Sequence, residues 1–141
     1  MGDIKAFLLP PAMDETKEVI VTKRAKDANG KPIPFVIRII DQETNSRLIK
    51  QATKKSKVNG QMIRELDDDK YGKLLVDACV VFPNFKDAEL CSYYKTMDPL
   101  DVPERMLTVG EYGRLVRAIK DFNELSMDDD ELEAVEDKVK N

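Results

Sequence analysis

The chain has 141 residues, of which 42% are hydrophobic and 35% are charged, and its formal net charge is −4. This length fits one domain with a substantial core, whereas no stretch approaches the roughly 18 apolar residues of a membrane-spanning helix. Histidine is absent, which removes the usual general base and the most common transition-metal ligand. The composition therefore predicts a soluble cytoplasmic protein and argues against an enzyme and against a membrane protein.

The N-terminal residues 3–9 contain a short apolar cluster that needs a surface to cover it. Asp3 is predicted to cap one short helical turn, which Pro10 and Pro11 end. The cluster packs either on the chain's own core or on a neighbouring subunit, and the sequence leaves both alternatives open. It comprises Phe7, Leu8 and Leu9.

Two segments rich in Val and Ile, residues 18–26 and 35–40, are predicted to pair as a β-hairpin. Between them, Asn29-Gly30 favours the positive φ angles of a tight turn. Both faces of the second strand carry apolar residues, and an isolated hairpin is only marginally stable. The helices that follow are therefore expected to pack on the hairpin.

The strongest helical pattern lies in residues 68–82, which are predicted to form the central helix of the core. Asp67 or Asp68 is placed to cap this helix, and Pro83 is expected to end it. Cys79 lies in the same apolar run and is predicted to be a buried free thiol rather than half of a disulfide. The apolar stripe of the helix consists of Tyr71, Leu74, Leu75, Ala78 and Phe82.

Three further helices are predicted at residues 41–53, 87–95 and 109–124. Asp41 or Thr44 is placed to cap the first, and Asp87 is placed to cap the second. The last of them begins with a capping box, in which the Thr108 hydroxyl and the Glu111 carboxylate each accept a hydrogen bond from the other residue's backbone N–H. These helices are expected to cover the hairpin and the central helix.

Together these elements predict an α+β fold in which an N-terminal β-hairpin or small antiparallel sheet packs against a mainly helical C-terminal part. Residues 61–66 are predicted to add a third strand. Residues 1–126 are expected to form a single domain, followed at residues 127–141 by an acidic tail that is helical or disordered. A thin apolar stripe in this tail consists of Leu132, Val135 and Val139.

Charge is distributed unevenly along the chain, which favours an oriented interaction surface or self-association. Residues 1–64 contain 13 Lys and Arg against 7 Asp and Glu, whereas residues 65–141 contain 10 against 20. A basic patch consists of Lys50, Lys54, Lys55 and Lys57. Aromatic residues do not interleave with this patch and the whole chain is acidic, so nucleic-acid binding is disfavoured. A solvated loop is the favoured alternative, and attraction to the acidic half of another copy stays open.

The acidic triplets 67–69 and 128–130 lack the alternating ligands, loop glycine and distal glutamate of an EF-hand. Helix capping or a solvated surface explains them better than metal binding. The sequence contains no glycine-rich phosphate loop, no activated nucleophile and no cysteine–histidine cluster. It therefore predicts no catalytic residues, no metal site and no cofactor.

Several ordered stretches between about residues 19 and 125 carry a family resemblance. They run from Val21 to Asp27, from Gly30 to Arg38, from Glu65 to Asp67 with Asp69 to Tyr71, from Cys79 to Leu90, and from Met106 to Leu107 with Gly110 to Tyr112. The ordered set, rather than any one stretch, resembles the XkdN-like tail assembly chaperones of phages and PBSX-type prophages that infect Gram-positive bacteria.

This resemblance implies a non-catalytic protein that binds the long tape measure protein during tail assembly and keeps it soluble. It also implies that the protein acts in the host bacterial cytoplasm and is absent from the finished virion. Two other interpretations stay open. One is a structural tail or neck subunit that remains in particles, and the other is a nucleic-acid-binding regulator that uses Lys54, Lys55 and Lys57.

The partner-binding surface is predicted from apolar and aromatic residues, because the family supplies no catalytic residues to transfer. The tyrosine pair is the favoured candidate, since tyrosine offers a large contact area with few rotatable bonds. For each residue, a place in the ordinary core is the alternative. The predicted contact residues are Phe7, Leu8, Leu9, Phe85, Tyr93, Tyr94, Leu132 and Val135.

Overall fold

The chain folds as small antiparallel sheets and α-helices in a computed structural model, which describes residues 3–9 and 15–125. The tail predicted at residues 127–141 lies outside the described residues. The strands are β1 (Thr16–Val19), β2 (Phe35–Arg38), β3 (Thr53–Val58), β4 (Gln61–Leu66) and β5 (Val80–Phe82). The helices are α1 (Gln42–Ala52), α2 (Asp68–Cys79), α3 (Ala88–Tyr93), α4 (Val102–Met106) and α5 (Val109–Phe122). Short 3-10 turns lie at Ile4–Phe7 and Pro99–Asp101. The predicted α+β fold class is confirmed, with strands concentrated early in the chain and helices late.

The first sheet has the strand order β1-β2-β5 and is antiparallel throughout. Strands β1 and β2 pair as predicted, but β1 covers residues 16–19 rather than 18–26. The chain leaves the sheet after Val19 because Val21 turns inward and is fully buried in the core. The Asn29-Gly30 turn lies in the loop between the strands, where Gly30 adopts a φ of 79° and the Gly30 N–H donates to the Asp27 carbonyl.

The prediction that the central helix extends to Phe82 is wrong, because α2 ends at Cys79 and the next three residues form β5. Residues 80–82 are two valines and a phenylalanine, which suit a strand, and they pair with the second edge of β2. Phe82 consequently leaves the helical stripe and is 50% exposed. Leu75 is fully buried as predicted, and Tyr71, Leu74 and Ala78 pack against the core.

A second hairpin, formed by β3 and β4, was expected only in part. Residues 61–66 form the predicted strand, but Lys54, Lys55 and Lys57 of the basic patch lie in strand β3 rather than in a solvated loop. The turn is Asn59-Gly60, with φ angles of 53° and 80°, as in the two-residue turns that match the twist of a hairpin. At the base of the hairpin the Asp67 N–H donates to the Ala52 carbonyl at 2.8 Å, which ends α1 at Ala52 rather than at residue 53.

The hydrophobic core lies between β2 and the two long helices α2 and α5. Phe35 and Ile37 of β2 point into it, and the side chains of Leu115 and Ile119 of α5 are fully buried. Cys79 is a buried free thiol, as predicted, and burial raises its pKa to about 12. The core therefore joins residues that lie almost 100 positions apart in the sequence.

Predicted helix caps are present at most helix starts. Asp41, Asp67 and Asp87 each accept a hydrogen bond from a backbone N–H in the first turn of the following helix. The capping box of α5 is complete: the Glu111 N–H donates to the Thr108 hydroxyl at 3.2 Å, and the Thr108 N–H donates to the Glu111 carboxylate at 3.0 Å. The short turn at the N-terminus is capped by Asp3, also as predicted.

Candidate partner-binding surface

One concave surface of the described residues is a cleft between α3 and the loop at residues 20–34. Its volume is about 350 Å³. The cleft is mainly apolar, and Arg24 at its edge supplies a charged group. Its lining consists of Thr22, Arg24, Ala25, Ile33, Pro34, Phe35, Phe82, Pro83, Leu90, Tyr94 and Met106.

A second, more open depression of about 890 Å³ adjoins the cleft along the other side of α3. The two share Phe82, Pro83 and Leu90, so they form one continuous surface. The outer edge of this depression carries the carboxylates of Asp87 and Glu89. We refer to the two depressions together as the α3 groove, and its centre is apolar with acidic groups on one edge.

Helix α3 is short, but several hydrogen bonds fix both of its ends. The Glu89 N–H donates to the Asp87 carboxylate at 2.8 Å at its start. At its end, the Thr96 N–H donates to the Cys91 carbonyl at 3.0 Å, while Lys95 adopts a φ of 54°. This pattern closes the last turn of the helix. Arg105 of α4 then donates to the carbonyls of Tyr94 and Lys95 at 2.8 and 2.7 Å, which ties α3 to the helical layer.

The opposite wall of the groove is held by an ion pair between the loop and α5. Arg24 donates to the two carboxylate oxygens of Glu111 at 2.6 and 3.1 Å, and also to the Met106 carbonyl at 2.8 Å. The hydrogen bond from Arg24 holds the pKa of Glu111 well below its usual range. Glu111 therefore accepts hydrogen bonds both from the cap of α5 and from Arg24 of the loop. This contact fixes the loop wall of the groove to α5.

The structure separates the predicted contact residues into two groups. Tyr93 is 77% exposed on the groove, and its ring meets that of the half-buried Tyr94 edge-on, at 4.8 Å between centroids. Phe85 is only 3% exposed and packs on Phe35 in the core, so its predicted contact with a partner conflicts with its burial. The sequence could not show this, because Phe85 lies in a turn whose direction is set by β5.

Phe7, Leu8 and Leu9 are each more than 70% exposed, and they lie in the part of the N-terminal segment that the structure describes. Leu132 and Val135 lie outside the described residues. The residues that the sequence reasoning missed are those of the groove floor, above all Phe82 and Leu90. Phe82 was missed because the sequence analysis assigned it to the apolar stripe of the central helix, and therefore to the core.

The described residues do not form an obvious reactive centre. Within residues 3–9 and 15–125, no three or more Cys, Asp or Glu side chains are arranged to hold a metal ion. The raised pKa of Cys79 keeps its thiol neutral, so it is a poor nucleophile. No helix in this part of the chain combines the length and apolar character that crossing a membrane requires.

Comparisons with known proteins agree with one another. The sequence profile of the family described as phage XkdN-like tail assembly chaperone protein matches residues 4–140. The uncharacterized protein YqbN of Bacillus subtilis strain 168 is 35% identical over 96% of this chain and 92% of its own length. The phage-like element PBSX protein XkdN of the same strain is 31% identical over 96% and 93%. A crystal structure of YqbN superposes with a TM-score of 0.74 at 29% identity, covering 89% of this chain and 99% of that one.

Proposed function

The chain belongs to the phage XkdN-like tail assembly chaperone family, and on that premise we propose that it binds the tape measure protein and keeps it soluble during tail assembly. It does so without catalysis, in the host bacterial cytoplasm, and leaves before the virion is complete. Its own residues then have one task, which is to cover apolar surface of a long partner until the tail forms around it.

The observation that carries this proposal is the α3 groove with its shared apolar floor. Amphipathic helices bind in such grooves by placing apolar side chains from successive turns into adjoining depressions. Phe82, Pro83 and Leu90 lie where the two depressions meet, so one partner helix contacts both. A tape measure protein, with long apolar helical stretches, offers many such segments along its length.

The groove is suited to repeated, moderate binding rather than to one very tight site. Tyr93 at its edge supplies exposed aromatic area, while Asp87 and Glu89 favour partner segments with basic residues beside the apolar stripe. Several copies bound along one chain gain avidity from their shared partner. This arrangement covers a long sequence without requiring a single specific motif.

The direct test is co-expression with the large tape-measure-like protein, with a tag on this chain, reading the soluble yield and the co-purified amount. The groove is tested by Phe82→Ser combined with Tyr93→Ser. We expect at least a roughly tenfold weaker association, since exposed aromatic residues in apolar pockets contribute about 1–2 kcal/mol or more to binding.

The matched control is Val58→Ser combined with Met62→Ser, which removes two exposed apolar side chains of the β3–β4 hairpin, outside the lining of the groove. The control should behave as the unmodified chain does. Equal loss in both double variants would contradict the groove as the contact surface. A tape measure protein that stays insoluble and unbound, with this chain present in purified particles, would instead support a structural tail or neck subunit.

A further inference from the structure

An open depression of about 520 Å³ runs along the outer face of α5, and its lining shares no residue with the α3 groove. Val109, which is 95% exposed, lies one turn before it on the same side of the helix. Among the described residues, only α5 contributes to the lining, so this surface has room for a second helix packed alongside. The lining consists of Tyr112, Gly113, Val116, Arg117, Lys120 and Asp121.

This depression combines basic and apolar groups with a glycine that no described neighbour explains. Arg117 and Lys120 take part in none of the ion pairs between described residues. A β-carbon added to Gly113 would lie in open space among the described residues. Glycine weakens a helix interior relative to alanine, but it permits close approach of another segment. The surface therefore suits a helix that carries acidic and apolar residues.

The backbone after α5 turns back beside its last turn. The Glu124 N–H donates to the Asp121 carbonyl at 3.2 Å, and the Leu125 N–H donates to the Lys120 carbonyl at 2.8 Å. Glu124 has a φ of 56°, and this combination is the Schellman motif that ends many helices. The chain consequently continues from a point beside Lys120, at the edge of the depression.

The sequence of residues 126–141 has the acidic and apolar character that the depression requires. It contains seven Asp and Glu against two Lys. Ser126 followed by Asp129 fits the capping pattern of a helix start, and acids in a first turn suit the helix dipole. Leu132, Val135 and Val139 recur at helical spacing.

The two segments match when they are paired as antiparallel helices. Residues equally distant from the centre of a short turn lie level with each other in such a pair, and the turn here is centred on Glu124. Acidic residues of the segment then lie level with basic residues of α5, and its apolar residues lie level with Gly113 and with valines. These pairs are Asp128 with Lys120, Glu131 with Arg117, Leu132 with Val116, Val135 with Gly113, and Val139 with Val109.

We propose that residues 126–141 form a helix that folds back on α5 of the same copy and fills this depression. Sixteen helical residues span about 24 Å, which covers the roughly 21 Å of the 14-residue α5. The short turn keeps the segment at a high effective concentration beside its own α5. Asp121 lies level with Met127 rather than with an acid.

This contact has a consequence for binding that does not depend on the proposed function. The docked segment covers Val109 and Val116, so a partner that uses this face of α5 has to displace it. The α3 groove stays open, because it shares no lining residue with the depression.

The test measures amide hydrogen exchange in full-length chains, using peptides that cover residues 126–141. The unmodified chain should exchange slowly in this segment, because a docked helix protects its backbone N–H groups. Variant A carries Arg117→Glu and Lys120→Glu, and variant B carries Asp128→Lys and Glu131→Lys. Each should exchange at least about fivefold faster in the segment, since two ion pairs are replaced by like charges.

Combining all four substitutions in one chain pairs opposite charges again and should restore slow exchange. The matched control is Asp130→Lys with Glu133→Lys, which changes the net charge as much as variant B does but lies on the outer side of the proposed helix. It should exchange as the unmodified chain does. Protection should be equal at low and high protein concentration, because the contact lies within one copy.

Gly113→Ala tests the close approach of the segment independently of charge. On a bare helix surface this substitution stabilises α5 and leaves residues 126–141 unaffected. Beneath Val135, the added methyl group should instead displace the segment and accelerate its exchange about threefold or more. The control Gly110→Ala lies on another side of α5 and should leave exchange in the segment unchanged.

The proposal is overturned if residues 126–141 exchange as fast in the unmodified chain as in variants A and B, or if the combined variant restores nothing. It is also overturned if protection increases with protein concentration, which would place the contact between copies. An unprotected segment, together with loss of tape measure co-purification in variant A, would assign this face of α5 to the partner instead.

Discussion

The two antiparallel strand pairs of this protein differ in what holds them in place. In the first, β2 is enclosed by helices, and the side chains of Phe35 and Ile37 are almost completely buried. In the second, every residue of β3 and β4 except Thr53 is exposed. The first sheet is therefore stabilised by burial, whereas the β3–β4 hairpin depends on its backbone hydrogen bonds and its turn. A solvated hairpin of this kind is only marginally stable by itself.

The largest expected loss of stability comes from creating a cavity in the core that encloses β2. Leu115→Ala removes a fully buried side chain from α5, where it packs in the core shared with β2 and α2. Substitutions of this kind cost about 2–5 kcal/mol, because they lose apolar burial and leave a cavity. Urea unfolding followed by circular dichroism should show this loss in the free energy of unfolding.

The matched substitution in the exposed region is Met62→Ala on β4, where the side chain is 56% exposed. Its cost should stay below about 1 kcal/mol. If the two substitutions had similar effects, the exposed hairpin would be part of the cooperative core, and the contrast between the two strand pairs would be lost.

Sequence reasoning was most successful where local chemistry determines local structure. The caps at Asp41, Asp67 and Asp87 and the capping box at Thr108 follow from side-chain hydrogen bonds within a few residues. The α+β class followed from apolar periodicity, which reports burial even when the partner surface is unknown.

The failures occurred where distant backbone groups decide the outcome. Residues 78–82 continue an apolar helical stripe, yet the unpaired edge of β2 takes Val80–Phe82 as a strand. That edge belongs to residues more than 40 positions earlier, so no local pattern contains the information. The position of the α3 groove depends on the same event, because β5 places Phe82 and Pro83 at the groove floor.

Long-range polar contacts could not be predicted from the sequence either. The Asn123 amide accepts from the Ile40 N–H at 2.8 Å and donates to the Arg38 carbonyl at 3.3 Å. It thereby joins α5 to the end of β2 across more than 80 residues. An asparagine at a helix end predicts only a local cap, and nothing in its neighbours indicates the strand that it meets.

Lowering the pH is expected to reduce the stability of the fold by an intermediate amount. The hydrogen bond from Arg24 lowers the pKa of Glu111 below its ordinary value near 4.5. Glu111 therefore contributes stability that is fully present above about pH 4.5 and is lost as the pH falls further toward its folded-state pKa. We expect the melting temperature to decrease progressively below that pH.

Glu111→Gln should lower the melting temperature at neutral pH and reduce its further decrease in acid. Some acid sensitivity should remain, because the pKa values of Asp41 and Asp67 are also lowered, chiefly by hydrogen bonds from Thr44 and Lys70. The exposed Glu18→Gln serves as the control and should follow the unmodified curve. An unchanged acid profile in Glu111→Gln would show that the Arg24–Glu111 pair does not stabilise the fold.

The smallest global effect, and the sharpest local one, is expected at the turn of the β3–β4 hairpin. Gly60 adopts a φ of 80°, a conformation that costs an alanine roughly 1 kcal/mol or more. Gly60→Ala should therefore lower the population of the hairpin. Because every residue of the hairpin except Thr53 is exposed, the midpoint of global unfolding should hardly change. Amide hydrogen exchange should accelerate about fivefold or more in β3 and β4 and remain unchanged in β2.

Gly30→Ala provides the comparison, because Gly30 has nearly the same φ, at 79°, in the loop that follows β1. That loop is anchored before the turn by the Arg24–Glu111 ion pair and after it by the buried Phe35, so its strain cannot be relieved by local opening. The same substitution should therefore reduce global stability at position 30 and only local protection at position 60. Global destabilisation of equal size at both positions would mean that the hairpin is coupled to the core.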